Sequence, residues 1–298
     1  EYQKIAPVLE KAGIQAINVA AGWHESAVPV SVAMVPQGGF AYLAEGIKKV
    51  VKIPVISGYR IVSPLVAADI LNKNQADLIG MARALLCDPD LPNKVKAGML
   101  DEVRPCIACC RCLDTALDDK TAICSSNARL AREQELVITK ADKPKKVFII
   151  GGGPGGMEAA RVAALRGHQV TLFEKKPVLG GQLKGASMPP YKGEINDLVK
   201  YFANQIKKNG VKVRLGVEAG EDVILKEKPD AVIVATGADP IIPNIPGIRG
   251  SNVSTAWDVL TGKSAVGSRV IIIGGGLIGC ETAEYLLPQG KQITMVEM

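Results

Sequence analysis

Aromatic residues make up only 4% of this 298-residue chain, and histidine occurs twice. Proteins that bind single-stranded nucleic acid stack bases on aromatic platforms, so this scarcity argues against that class. An excess of one charge is also missing: 36 Lys and Arg against 30 Asp and Glu leave a formal net charge of +6. The densest basic run, Lys140, Lys143, Lys145 and Lys146, is interrupted by Asp142 and Pro144 and reads as a solvated linker. No nucleic-acid partner is expected. No apolar run approaches the roughly 18–20 residues that span a bilayer, so no membrane association is expected either. With 47% hydrophobic and 22% charged residues, the composition excludes a disordered, solvating chain.

What the chain does have is glycine, 31 residues of it, and a concentration of cysteine. Glycine excess with few aromatics fits α/β folds, whose glycine turns meet cofactors. Five of the seven cysteines fall between Cys106 and Cys124. A disulfide framework would not require such clustering, which points to a metal or cluster site in a reducing compartment, the cytoplasm.

From residue 1 to about 98, short apolar runs alternate with helical stretches. AINVA near 16–20, VKIPVIS and ADLIGMA read as strands, with helices near 40–50 and 63–73. That alternation predicts a parallel sheet with right-handed crossovers. Regularity lapses from Val103 to about Lys146, where the cysteines lie. It resumes with a strand over Lys146–Ile150, a glycine turn, a helix through Leu165 and the strand HQVTLFE. VKVRLG and DAVIVATG are further strands, and SRVIIIGGG opens a second copy of strand, glycine turn and helix, followed by QITMVEM.

Gly151, Gly153 and Gly156 form G-x-G-x-x-G between a strand and a helix, and Glu174 closes the next strand 18 residues beyond Gly156. The first glycine permits the tight turn, the second lets backbone approach a pyrophosphate, and the third lets helix and strand pack closely. The acid can accept hydrogen bonds from a ribose. Gly274, Gly276 and Gly279 repeat the pattern, with Glu297 again 18 residues on. Two dinucleotide sites suggest one flavin and one nicotinamide, and an acid at the second ribose position favours NADH over NADPH.

Cys106, Cys109, Cys112 and Cys124 give C-x2-C-x2-C-x11-C. Three closely spaced thiolates and one remote suit a [4Fe–4S] cluster better than zinc, which more commonly uses two separated pairs. Cys110 is left over, while Cys87 and Cys280 read as small buried hydrophobes. His24, after the strand AINVA, is as consistent with a catalytic group as with a structural one.

Taken together, INVAAGWHE, VPQGGFAYL, IPVIS with Arg60, ADLIGMARALLCDPDLPNK, CIACCRC with Cys124, GGGPGG, LGGQL, VATG and the second GGG-x-x-G resemble one family. It is the NADH:flavin oxidoreductases that include 2,4-dienoyl-CoA reductase and trimethylamine dehydrogenase, with a barrel similar to old yellow enzyme. The resemblance implies the C-terminal part of an FMN-binding TIM (β/α)8 barrel over 1–100, and a [4Fe–4S] segment and linker over 101–142. Rossmann-like domains would follow, FAD-binding over 143–247 and nicotinamide-binding from 248 to 298. The chain would then be an internal piece of a longer protein.

By the same resemblance, His24 helps donate a proton to substrate, and Glu25, Ser26 and Ala27 lie in the substrate loop. Arg60, Ala82 and Arg83 contact FMN. Gly151, Gly153, Gly155, Gly156, Glu174, Gln182, Lys192, Ala235 and Gly237 contact FAD; Gly274, Gly276, Gly279 and Glu297 contact NADH. The sequence departs from the family pattern at Tyr59, where a glycine is usual, and at Ala27, where reductases often carry arginine. The implied activity is NAD(P)H-dependent reduction of an activated carbon–carbon double bond in an enoyl thioester or enoate. A homo-oligomer is compatible with it. The alternatives are an amine dehydrogenase, and an electron-transfer module or inactive fragment without its own substrate chemistry.

Overall fold

The computed structural model describes residues 1–23 and 25–297, and the chain divides into two compact units, Glu1–Val137 and Ile138–Met298. In the first unit the order is α1 (Tyr2–Lys11), β1 (Ile17–Val19), α2 (Ala41–Lys48), β2 (Val55–Ser57), α3 (Pro64–Asn72) and β3 (Leu78–Ile79). Then come α4 (Ala82–Cys87), α5 (Leu91–Lys96) and α6 (Arg111–Leu117). The strands pair in parallel in the order β1-β2-β3. Each crossover is helical, as the alternating pattern requires and as a run of barrel strands would show.

Local chemistry starts these elements. Ser63 caps α3, its hydroxyl accepting from the Leu65 amide, and Pro64 occupies the first helical position, where a missing N–H costs nothing. Ala44, Ile47, Val55, Ile61 and Ile70 form the core between sheet and helices. The strands are shorter than the apolar runs that carry them, because only the central residues of each run find a hydrogen-bonding neighbour.

The second unit contains β4 (Lys146–Ile150), α7 (Pro154–Leu165), β5 (Gln169–Glu174), α8 (Leu183–Ala186), α9 (Glu194–Lys208), β6 (Lys212–Leu215), α10 (Glu221–Glu227) and β7 (Ala231–Val234). It continues with α11 (Ala256–Leu260), β8 (Arg269–Ile273), α12 (Leu277–Leu286) and β9 (Gln292–Val296). The first sheet is all parallel in the order β6-β5-β4-β7, so β4 has the next strand on one side and a late-returning strand on the other. Doubly wound sheets bind ligands at that reversal, outside the carboxyl ends of the strands. Phe148 and Ile149 of β4 are completely buried, as a parallel strand covered on both faces demands. Phe148 meets Phe173 edge to face at 4.9 Å. On α9, Leu198, Phe202 and Ile206 recur every four residues and turn inward. Strand β8 pairs in parallel with β9.

Candidate functional sites

The β4–α7 turn is built around contacts too close for any side chain. A Cβ on Gly156 would lie 1.9 Å from the Gly151 carbonyl oxygen, and one on Gly151 would lie 2.3 Å from that of Ala235. Gly151 also has φ +114°, a region that L side chains rarely adopt. The Ala235 amide donates to the Ile150 carbonyl at 2.8 Å, which fixes the segment after β7 beside the turn. The loop carrying Gly180 and Gly181 lies on the same turn: the Gly180 amide donates to Gly152 at 2.9 Å, and Gln182 reaches the Ala238 carbonyl. Gly153 caps α7, and Gly155 has open space where its side chain would be. A helix N-terminus beside a bare glycine edge is the kind of cradle that a dinucleotide pyrophosphate needs.

Glu174 is buried and fully engaged with backbone. Its Oε2 accepts from Gly152 N–H at 2.7 Å and its Oε1 from Lys176 N–H at 2.8 Å. The carboxylate therefore holds the turn shut, and ribose hydroxyls would compete for its remaining lone pairs. Gly237 has φ +82° and open space around it. Lys192 ion-pairs with Glu281 of α12 at 2.7 Å.

The β8–α12 turn repeats the geometry. A Cβ on Gly279 would lie 1.9 Å from the Gly274 oxygen, Gly274 has φ +109°, Gly276 caps α12, and the Gly275 amide donates to Glu297. Glu297 is exposed. Cys280, expected to be buried, is exposed instead, because the first turn of α12 faces outward; its thiol donates to the Gly275 carbonyl at 3.3 Å.

In the first unit, Cys87, Cys106, Cys109, Cys110, Cys112 and Cys124 line one recess together with Arg83. The CIACCRC loop wraps tightly, with Ala108 at φ +51° and Cys110 at φ +58°, conformations that non-glycine residues adopt only when their surroundings force them. Those surroundings are a buried polar clamp that composition and spacing did not reveal. Asp88 accepts from the Arg104 amide at 2.8 Å and from Lys94 at 2.6 Å. Arg104 donates to Asn127 at 3.0 Å, and Asn127 donates to the Leu86 carbonyl at 2.9 Å. Both ends of the cysteine segment are thereby tied to α4.

Cys87, read from sequence as an inert hydrophobe, is buried as expected, but its sulfur lies 3.4 Å from that of Cys124. Hydrogen bonding from Cys87 draws the Cys124 thiol down to about 6 against the penalty of burial, with help from the Ser126 and Asn127 amides and the Arg104 charge. Cys106 falls to about 7, again chiefly through Cys87, opposed by burial and assisted by the Ala108 amide and Arg83. Cys87 is pushed up by the same hydrogen bonds and by burial. Burial raises Cys110 and Cys112.

Thiols drawn toward ionisation, with further thiols beside them, have the chemistry that thiolate-ligated metal centres require. Among the described residues no three His, Cys, Asp or Glu side chains converge as ligands of a single ion must.

Arg60 and Arg83 both face the 31–35 loop. Arg60 is buried and donates to the carbonyls of Val32, Ala33 and Val35 at 2.8–3.3 Å, and Arg83 donates to Ser31 at 2.7 Å. Tyr59 and Arg60 have φ +63° and +53°, so a tyrosine occupies a left-handed position that a glycine would fill without strain. Ala82 opens α4 just beyond β3. Ser26 accepts from the Trp23 amide at 2.8 Å, and Glu25 and Ala27 are exposed. His24 lies outside the described residues. Among the described residues, no helix is long and apolar enough to cross a membrane.

Residues 8–102 match the NADH:flavin oxidoreductase / NADH oxidase family, and residues 145–298 match the pyridine nucleotide-disulphide oxidoreductases. The chain is 45% identical over 295 residues to a metal reductase of Desulforamulus reducens, covering 97% of this chain and 44% of that protein. It is 41% identical over 298 residues to a cinnamate reductase of Clostridium sporogenes, covering 98% and 44%. The structure of a 2-naphthoyl-CoA reductase complex superposes with a TM-score of 0.94 at 37% identity, over 99% of this chain and 45% of that one. The chain thus spans somewhat less than half the length of the curated relatives it matches. A parallel β/α run with the flavin-oxidoreductase pattern, followed in one chain by a doubly wound dinucleotide fold, places this protein in the NADH:flavin oxidoreductase family that includes 2,4-dienoyl-CoA reductase.

Proposed function

We propose that the full-length protein is a flavin and iron–sulfur oxidoreductase that uses NADH to reduce an activated carbon–carbon double bond in an enoate or enoyl thioester. The observation that carries this reading is the thiol recess, whose cysteines from Cys106 to Cys124 lie in sequence between the flavin-oxidoreductase and dinucleotide-binding matches. When bound, FAD and FMN would supply hydride chemistry, and a [4Fe–4S] cluster would supply single-electron transfer between the two flavins.

The chain's residues have distinct tasks in this scheme. Gly151, Gly153, Gly155 and Gly156 let the FAD pyrophosphate meet backbone, with Glu174, Gln182, Lys192, Ala235 and Gly237 around it. Gly274, Gly276, Gly279 and Glu297 do the same for NADH, and the Glu297 carboxylate disfavours a 2′-phosphate. Cys106, Cys109, Cys112 and Cys124 hold the cluster. Arg60, Ala82 and Arg83 hold FMN at the carboxyl ends of β2 and β3. His24, beside Glu25, Ser26 and Ala27, delivers a proton to the carbon next to the one that receives hydride.

The named substrates of the cinnamate and 2-naphthoyl-CoA reductases support a conjugated acyl substrate. The test is anaerobic NADH oxidation by the full-length protein with a panel of enoates, enoyl thioesters and secondary or tertiary amines. Turnover with conjugated acyl substrates is expected. Flavin bleaching by amines without NADH oxidation would instead identify an amine dehydrogenase, and no turnover with either class an electron-transfer module. Within the active enzyme, His24→Ala should slow substrate reduction about 100-fold or more while NADH-driven flavin reduction persists.

A further inference from the structure

We propose that Cys87 is a positioning residue of the cluster: its sulfhydryl donates a hydrogen bond to the ligand sulfur of Cys124 and makes the cluster easier to reduce. This inference rests on the cluster assignment above.

A cubane takes four thiolates, and the C-x2-C-x2-C-x11-C pattern supplies four without Cys87. Two thiols are therefore surplus, and they face different partners. The Cys110 thiol donates to the carbonyls of Ser31 at 3.4 Å and Ala108 at 3.6 Å. Cys87 instead ends α4 at 4% exposure, packed with Val62, Ala84, Leu91 and Cys106, and its sulfur lies 3.4 Å from Cys124. Either sulfur could be the donor of that contact in the free protein, but a metal-bound Cys124 has no proton to give. The direction is then fixed, with Cys87 donating and Cys124 accepting. Cys106 packs in the same buried cluster, but the sulfur contact of Cys87 is with Cys124. Burial in apolar surroundings keeps it a neutral thiol rather than a fifth ligand.

The consequence is electrostatic. Reduction adds one electron to the cluster and its thiolates, and no proton moves. A donor aimed at a ligand sulfur stabilises the more negative, reduced form more than the oxidised one, so it raises the reduction potential. The polar clamp of Asp88, Arg104 and Asn127 holds α4 against the cysteine segment, which keeps the donor in place.

The experiment compares full-length wild type with Cys87→Ala and Cys87→Ser. Iron and acid-labile sulfide are measured per chain, and the reduced cluster is followed by electron paramagnetic resonance in a mediated potentiometric titration. Cys87→Ala is expected to keep the full complement of iron and sulfide while its midpoint moves negative. At the wild-type midpoint, the ratio of reduced to oxidised cluster should fall about fivefold, the effect of one such hydrogen bond. Cys87→Ser, which retains a donor, should recover part of the shift. An unchanged midpoint in Cys87→Ala would overturn the proposal, and so would loss of iron from that variant, which would make Cys87 a ligand or a scaffold. Stoichiometric zinc without sulfide in the wild type would be a separate result, since it removes the cluster assignment itself.

Discussion

The two glycine turns of the second unit have nearly the same backbone and very different surroundings. At each, a Cβ on the third glycine would lie 1.9 Å from the carbonyl oxygen of the first, and at each an acid from the next strand's end accepts the amide of the residue between. Around the first turn, β4 is flanked by β5 and β7, Ala235 presses against Gly151, and Glu174 is buried. Around the second, among the described residues, β8 pairs with β9, Ile271 of β8 is 69% exposed and Glu297 faces solvent. Turn geometry is therefore set locally by glycine spacing, whereas burial is set by strands distant in sequence. The first property is the same for both sites, and the second differs between them among the described residues of this chain.

The shared property predicts the largest effect. In the full-length protein, Gly156→Ala or Gly279→Ala forces apart backbone atoms that cannot yield, at a cost of about 3 kcal/mol in each turn. Gly156→Ala should purify with little FAD yet still bind NADH. Gly279→Ala should retain FAD and lose NADH binding. Flavin content and NADH titration check this, and loss of both cofactors in either variant would show that the two turns do not act locally.

The next effect depends on the difference between them. Alanine at position 151 or 274 incurs the strain of positive φ, about 1–2 kcal/mol. At 151 it also drives a Cβ to 2.3 Å from the Ala235 oxygen, whereas at 274 nothing lies within 4 Å. In this 298-residue chain, Gly151→Ala should therefore cost about 2 kcal/mol more than Gly274→Ala. Local hydrogen exchange in the two turns measures this, and equal losses would mean that Ala235 moves aside freely.

This contrast also marks how far the sequence alone could be read. Strand β4 falls on the residues predicted, Lys146–Ile150, because apolar runs and glycine turns are written in adjacent positions. The two acids at the strand ends could be found for the same reason. Strands β1, β2 and β3 shrink inside their apolar runs, since pairing depends on neighbours that a local pattern does not specify. Cys87 could not be paired with Cys124 from sequence: 37 residues separate them, and no spacing rule relates the end of α4 to a distant loop. Asp88, Arg104 and Asn127 were missed likewise, because charged and amide residues carry no periodic signature of burial. A Cys-Asp pair at a helix end shortly before a cysteine-rich loop was the one available hint.

A smaller effect separates the two acids. Both oxygens of Glu174 accept backbone amides, so Glu174→Gln turns an amide NH2 toward one of those donors, at about 1–3 kcal/mol, and should weaken FAD retention. Glu297 is exposed and, among the described residues, accepts from the Gly275 amide, so Glu297→Gln can turn its carbonyl oxygen to that amide with little loss of stability. Its effect should appear in cofactor choice, with NADPH binding rising relative to NADH. Thermal release of flavin and paired titrations with both nicotinamides test the contrast. An unchanged NADH preference would remove Glu297 from the ribose site.

The smallest effect concerns the link from the first site toward α12. Lys192 was expected at FAD from the resemblance, yet its ammonium pairs with Glu281 at 2.7 Å, both side chains being about one-third exposed. A partly exposed ion pair of this kind contributes about 0.5 kcal/mol, reduced further by salt. If pairing is all that Lys192 does, Lys192→Ala and Glu281→Ala should produce the same small destabilisation and leave FAD affinity unchanged, and the double variant should add little more. If Lys192 also holds FAD, only Lys192→Ala should weaken flavin binding, by about tenfold for one charge-assisted contact, and Glu281→Ala should strengthen it by releasing the lysine. FAD titration of the apoprotein at low and high salt separates these outcomes, because losing a flavin contact affects one variant alone, whereas losing the ion pair affects both equally.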